Sequence, residues 1–147
     1  MADHFVILQI INKTDIEFTS VSEWFDSGHT GEREDTGIPK QGVVTIRFYP
    51  DGGAGVSGFL TWWTDNEMEV CIAFSNPVAG HNKLDIGVID SGYALKEEKN
   101  LWDNMDYHDY QSFDRDLDIP GLAKVTAHCR CTGGGTNNAT ITLDYKS

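Results

Sequence analysis

Ser75-Asn76-Pro77 closes the apolar run from Met68 to Phe74 and is followed almost at once by Gly80, His81 and Asn82. Pro77 has no amide proton and a fixed φ, so a strand running into it ends there with a hydroxyl at its exposed tip. A hydroxyl, an imidazole and an amide on one rim supply donors and acceptors for a polar ligand. Catalysis requires more: a nucleophile beside a base, a carboxylate pair, or a metal cluster. His4, His29, His81, His108 and His128 are scattered without ligand spacing, and no phosphate-cradling glycine loop occurs. Gly55-Val56-Ser57-Gly58 lacks one spacer residue of the Gly-x-Ser-x-Gly elbow. Asp114-Arg115-Asp116-Leu117-Asp118 begins like a calcium loop, but Ile119 stands where the turn glycine belongs and Val125 where the closing glutamate belongs. It reads as a solvated acidic loop. The expectation is a chain without catalytic activity, cofactor or metal, with carboxylate-dependent glycoside hydrolysis as the outside alternative.

The stretch from Ser91 to Pro120 gathers Tyr93, Trp102, Tyr107, Tyr110 and Phe113 among Asp103, Asp106, Asp109 and Asp114. Aromatic rings beside carboxylates hold cations or stack on sugars. The Lys- and Glu-bearing segment Ala94 to Leu101 fits a short helix, while the rest of the stretch shows no clear strand. The sequence holds three cysteines. An odd count in a chain without an evident export signal reads as reduced thiols, and Cys129 with Cys131 as small side chains facing a core. The sequons Asn12-Lys13-Thr14 and Asn138-Ala139-Thr140 matter only in a secretory compartment.

Elements of period two must position these groups. Phe5 to Ile11 reads as a strand buried on both faces, Ile16 to Phe18 as a second, Val43 to Phe48 as a third and Val56 to Trp63 as a fourth. Met68 to Phe74, Leu84 to Ile89, Val125 to Cys131 and Ala139 to Tyr145 complete the set, the last two joined by a glycine-rich turn at 132–138. Alternation puts one of Trp62 and Trp63 inside. About eight short strands predict an all-β sandwich of two sheets with one or two short helices.

The length of 147 residues suits a single domain, residues 1–147. With 23 acidic and 11 basic side chains the formal charge is −12, which repels nucleic acid and anionic lipid surfaces but not a sugar or a zwitterionic headgroup. No apolar run approaches a membrane span, and Met1-Ala2-Asp3-His4 lacks the features of a secretory leader. The expected location is the cytoplasm, or outside the cell after release without a classical signal peptide.

Five segments together resemble the actinoporin-like β-sandwich superfamily, which includes sea anemone, moss and fungal cytolysins and the fungal fruit-body lectins. They are Asn12-Lys13-Thr14-Asp15, Trp24-Phe25-Asp26-Ser27-Gly28, Gly55-Val56-Ser57-Gly58, Phe74-Ser75-Asn76-Pro77 and Asn82-Lys83-Leu84-Asp85-Ile86. The last two resemble the cytolysins' Phe-Ser-Val-Pro and Asn-Trp-Trp-Asp-Val. The resemblance implies a two-sheet sandwich whose loop rim binds a glycan or a zwitterionic lipid headgroup. In the cytolysin pattern Ser27 and Ser75 supply hydroxyls, Pro77 forms a wall, and Trp102 and Tyr107 fall near the cation-facing aromatics. In the lectin pattern Ser57, Gly58 and Asn82 contact sugar, with His81 close by. For Ser57-Gly58 a strand start or bulge competes with that role. The chain departs from the cytolysins in reading as strand where their inserting helix would stand. It also carries Val78, Ala79, Gly80, His81, Lys83 and Leu84 where they carry membrane-anchoring aromatics. The implied function is lectin-like recognition or defence without catalysis. A membrane-active cytolysin is the alternative, and a membrane surface and a homo-oligomeric state remain open.

Overall fold

The computed structural model describes residues 4–32, 35–64, 68–90, 94–105, 112–119 and 121–147. Ten strands and one helix are found among them: β1 (Phe5–Asn12), β2 (Thr19–Ser27), β3 (His29–Thr30), β4 (Gly42–Tyr49), β5 (Val56–Trp63), β6 (Met68–Asn76), β7 (Lys83–Asp90), α1 (Ala94–Asp103), β8 (Ser112–Ile119), β9 (Ala123–Arg130) and β10 (Thr136–Tyr145). They form a six-stranded sheet, β3-β4-β1-β10-β9-β8, and a four-stranded sheet, β2-β5-β6-β7. β1 and β10 pair in parallel, while the other strand pairs are antiparallel. The all-β sandwich expected from the alternation is the observed architecture.

The inward faces supply the main core. Val6, Leu8 and Ile10 of β1 meet Val70, Ile72 and Phe74 of β6, with Phe48 stacked on Phe74 at 4.1 Å between ring centroids. A second apolar cluster lies on the outer face of the four-stranded sheet, where Phe59, Cys71, Ala73, Ile89 and Met105 pack with Trp24, Leu101 and Trp102. The smaller sheet is therefore covered on both faces, and this is why nearly every residue of β6 is buried. Trp62 is fully buried and Trp63 is 46% exposed, as alternation requires. All three cysteines are buried and none forms a disulfide.

Several elements differ from the sequence expectation. The second strand is Thr19–Ser27, whereas Ile16 to Phe18 only leads into it, making a single bridge from Phe18 to Ile38. β2 is a sheet edge with mostly exposed side chains, so it carries no apolar alternation to read. The acidic loop Asp114 to Asp118 is instead strand β8, with Asp114, Asp116 and Asp118 facing solvent and Leu117 and Ile119 facing the core. Edge position again explains the polarity, since carboxylates on an exposed edge discourage pairing with other chains. β1 buries one face rather than two, because no element among the described residues covers the outer face of the larger sheet around it. The helix runs two residues beyond Leu101, which adds Trp102 to its last turn.

The two sheets are joined by polar clasps as well as by the core. Asp85 Oδ1 of β7 accepts from Nη2 and Nε of Arg115 in β8, at 2.9 and 3.2 Å. Asn12, the first sequon residue, is buried and donates its amide to the carbonyls of Ile16 and Pro39. Asn138, the second, is exposed.

Candidate functional site

Antiparallel register places Ser57 of β5 opposite Ser75 of β6, and Ser75 opposite Lys83 of β7. Strands lie about 4.8 Å apart, so these three side chains form one row on the outer face of the smaller sheet. The row is the floor of a cleft of about 340 Å³, whose walls are Pro77, Ala79, Gly80 and His81 on one side and Trp102, Asp103 and Met105 of the helix end on the other. β6 stops here because Pro77 cannot continue the ladder, and Gly80, at φ +113°, turns the chain back toward β7.

Trp102 is held from two directions. Its Nε1–H donates to Ser57 Oγ at 2.8 Å, and its ring meets Trp24 edge to face at 5.0 Å between centroids. Trp24 in turn stacks on Phe59 at 5.4 Å, and Lys99 Nζ lies 5.0 Å over the Trp24 ring. The end of α1 is thereby fastened to β2 and β5, and the helical wall of the cleft is positioned by packing rather than by a loop.

Of the residues singled out in the sequence, Ser57, Ser75, Pro77, His81 and Trp102 line this cleft. Ser27 is paired with Ser57 at the end of the same row but is not among the lining residues. Gly58 serves the fold: a Cβ there would lie 2.3 Å from the Trp24 carbonyl oxygen, so glycine lets β2 approach across a register shift. That is the bulge reading of Ser57-Gly58.

Asn82 is also turned away from a ligand role. It is 3% exposed and donates Nδ2–H to the carbonyls of Thr132 and Gly134 at 2.7 and 3.2 Å, tying the start of β7 to the turn between β9 and β10. Two further asparagines repeat the device. Asn76 donates to the carbonyls of Phe5 and Gly135, and Asn137 to those of Ser75 and Lys83. Three amides thus stitch the two sheets together behind the cleft. Tyr107 lies outside the described residues.

Lys83, Asp103 and Met105 were missed as cleft residues. Lys83 follows from strand register, which no local pattern specifies. Asp103 carried a visible signal, since it adjoins Trp102 at the end of a helical segment.

Away from the cleft, burial pushes the Cys129 thiol up to about 12, with the Asp85 carboxylate adding to the effect, so the thiol stays protonated and inert. Among the described residues no group of three or more His, Cys, Asp or Glu side chains is arranged to hold a metal ion.

No protein-family model matches the sequence, and no curated protein matches it. Solved structures do match. The lipid binding protein Nakanori superposes over 98% of this chain and 72% of its own, with a TM-score of 0.78 at 17% identity. The Xerocomus chrysenteron lectin XCL superposes over 97% of this chain and 99% of its own, with a TM-score of 0.56 at 14% identity. RahU protein, solved in complex with a TRIS molecule, gives 0.56 at 9% identity over the whole of this chain. The chain has the two-sheet β-sandwich fold of the lipid binding protein Nakanori and of the Xerocomus chrysenteron lectin.

Proposed function

We propose that this chain is a lectin-like recognition protein that binds a glycan or a zwitterionic lipid headgroup in the cleft and serves defence rather than catalysis. The observation that carries the reading is the row Ser57, Ser75 and Lys83 lying beneath the anchored indole of Trp102. Convergent hydroxyl and ammonium groups beside an aromatic ring, on a preformed floor of strands, match what polar ligands need. Asp103 is the one carboxylate lining the cleft among the described residues, whereas glycoside hydrolysis uses a pair. Ser57 Oγ accepts from an indole rather than facing a base. The acidic balance of the chain argues against nucleic acid as a partner. Reduced, buried thiols accord with a cytoplasmic protein, or with one released without a signal peptide.

A glycan and lipid array probed with the wild-type chain and with Ser75→Ala tests the reading. Binding to a sugar or phosphocholine class that the variant loses supports it, and equal binding by both removes the cleft from consideration. A cytolytic reading has one favourable observation: Val78, just beyond the Pro77 wall, is 55% exposed and would meet a bilayer that presents the ligand. Dye release from sphingomyelin vesicles would establish that reading, and agglutination without lysis would exclude it.

A further inference from the structure

Which kind of sugar the cleft selects follows from where its protons must point. The inference rests on the cleft being the ligand site. An indole nitrogen is a donor only, so in the 2.8 Å contact Trp102 gives its proton and Ser57 Oγ accepts. The single hydroxyl proton of Ser57 is then directed away from the indole. Ser75, its register partner, adds a second hydroxyl beside it at 6% exposure. The serine pair thus brings two hydroxyls to the cleft, that of Ser57 with its proton turned from the indole. Lys83, next in the row, is an ammonium and also donates only. With the Lys83 ammonium and the constrained Ser57 proton, the floor of the cleft is therefore rich in donors.

We infer that the cleft is selective for a sugar bearing a single carboxylate, with the carboxylate on Ser57, Ser75 and Lys83. A carboxylate accepts several hydrogen bonds through two oxygens, and bonds to it are charge-assisted. A neutral hydroxyl in the same place would leave part of the donor row unanswered. The sugar ring then lies toward Trp102, with Asp103 able to accept from its hydroxyls. A phosphocholine headgroup fits less well. Its ammonium requires aromatic faces, and Trp102 is the one aromatic lining the cleft among the described residues.

The formal charge of −12 does not oppose a small monoanion. Charges farther than about 8 Å are largely screened at physiological ionic strength, so the cleft's own charges decide locally, with Lys83 in the floor row and Asp103 on the helix wall. A polyanion or an anionic bilayer, which must face the whole acidic surface, is repelled.

The test is isothermal titration of the purified chain with acidic sugars and their neutral counterparts, 3′-sialyllactose against lactose and a glucuronate-terminated disaccharide against its glucose analogue, with phosphocholine alongside. The expected result is at least one acidic member bound about tenfold or more tightly than its neutral partner, as a charge-assisted bond supplies. Lys83→Met should abolish that preference while residual sugar binding persists. Trp102→Phe frees the Ser57 hydroxyl to turn and should reduce the preference. A thermal melt verifies that each variant is folded. Equal affinity for acid and neutral partners, a preference that survives Lys83→Met, or tighter binding of phosphocholine overturns the inference. Where these outcomes arise while Ser75→Ala still weakens binding about tenfold, the cleft stands and only its acid selectivity falls. Sugar binding indifferent to Ser75→Ala removes both.

Discussion

Replacing Asn82 by alanine separates two roles that the sequence left joined. Asn82 stands beside His81 on the rim, where a sugar contact was expected, yet its amide is buried and spent on the carbonyls of Thr132 and Gly134. Each intramolecular hydrogen bond contributes about 1 kcal/mol net, and an acceptor left buried and unpaired costs about 1–3 kcal/mol more. Gly134 is exposed, so water replaces the amide at its carbonyl. Thr132 is half-buried and recovers less. The expected loss is about 2 kcal/mol, mostly at Thr132. For a domain of this size each kcal/mol lowers the midpoint by about 2–4 °C, so the melt should shift down by about 4–8 °C. Circular dichroism melts of wild type and Asn82→Ala measure the shift, and titration at 25 °C, where the variant is still folded, measures affinity. Affinity should be unchanged within about twofold, because no part of Asn82 reaches the cleft lining. An unchanged melt with weakened ligand binding would refute the clasp and restore Asn82 as a contact.

Ser75→Ala should behave in the opposite way, losing about tenfold in affinity for the ligand with a melt displaced by no more than about 1 °C, since the clasp from Asn137 uses only the Ser75 carbonyl. Gly58→Ala should cost about 3 kcal/mol by overpacking, because its Cβ meets the Trp24 carbonyl at 2.3 Å. Denaturant unfolding measures that loss, and a neutral result would mean that β2 shifts freely. The Cys129 thiol, with its value raised from 9.0 to about 12, should resist alkylation at pH 8 in the folded protein and react on unfolding. Because the folded state holds the proton longer, the thiol's contribution to stability is full below pH 9 and declines as pH rises toward 12. A stability that rose over that interval in wild type relative to Cys129→Ala would contradict the sign.

Legibility in the sequence followed burial. β6 could be read because its side chains are apolar and its end is marked by Pro77, and α1 because its composition and length are helical. β2 and β8 were misread because each is an edge strand whose alternate residues are polar and face water, which in a sequence looks like a loop. Ser75, Pro77 and His81, named from the sequence, line one cleft because they are near neighbours in the chain around one strand end. Lys83 was not among the candidates, and the Asn82 amide turns to Thr132 and Gly134 instead of the cleft, because one residue of offset reverses the face a side chain takes.

The sequence by itself determined the all-β class, the stop of β6 at Pro77, the burial of one of Trp62 and Trp63, and the inward Cys129 and Cys131. All of these follow from alternation and backbone chemistry within a few residues. Only the tertiary structure decided that Ser57, Ser75 and Lys83 form one row, that Trp102 fixes the proton direction of Ser57, and that Asn76, Asn82 and Asn137 are clasps. The reason is that strand register and sheet partner are set by pairing between distant segments. A hydroxyl's neighbours across three strands are therefore a property of the fold rather than of any stretch of chain.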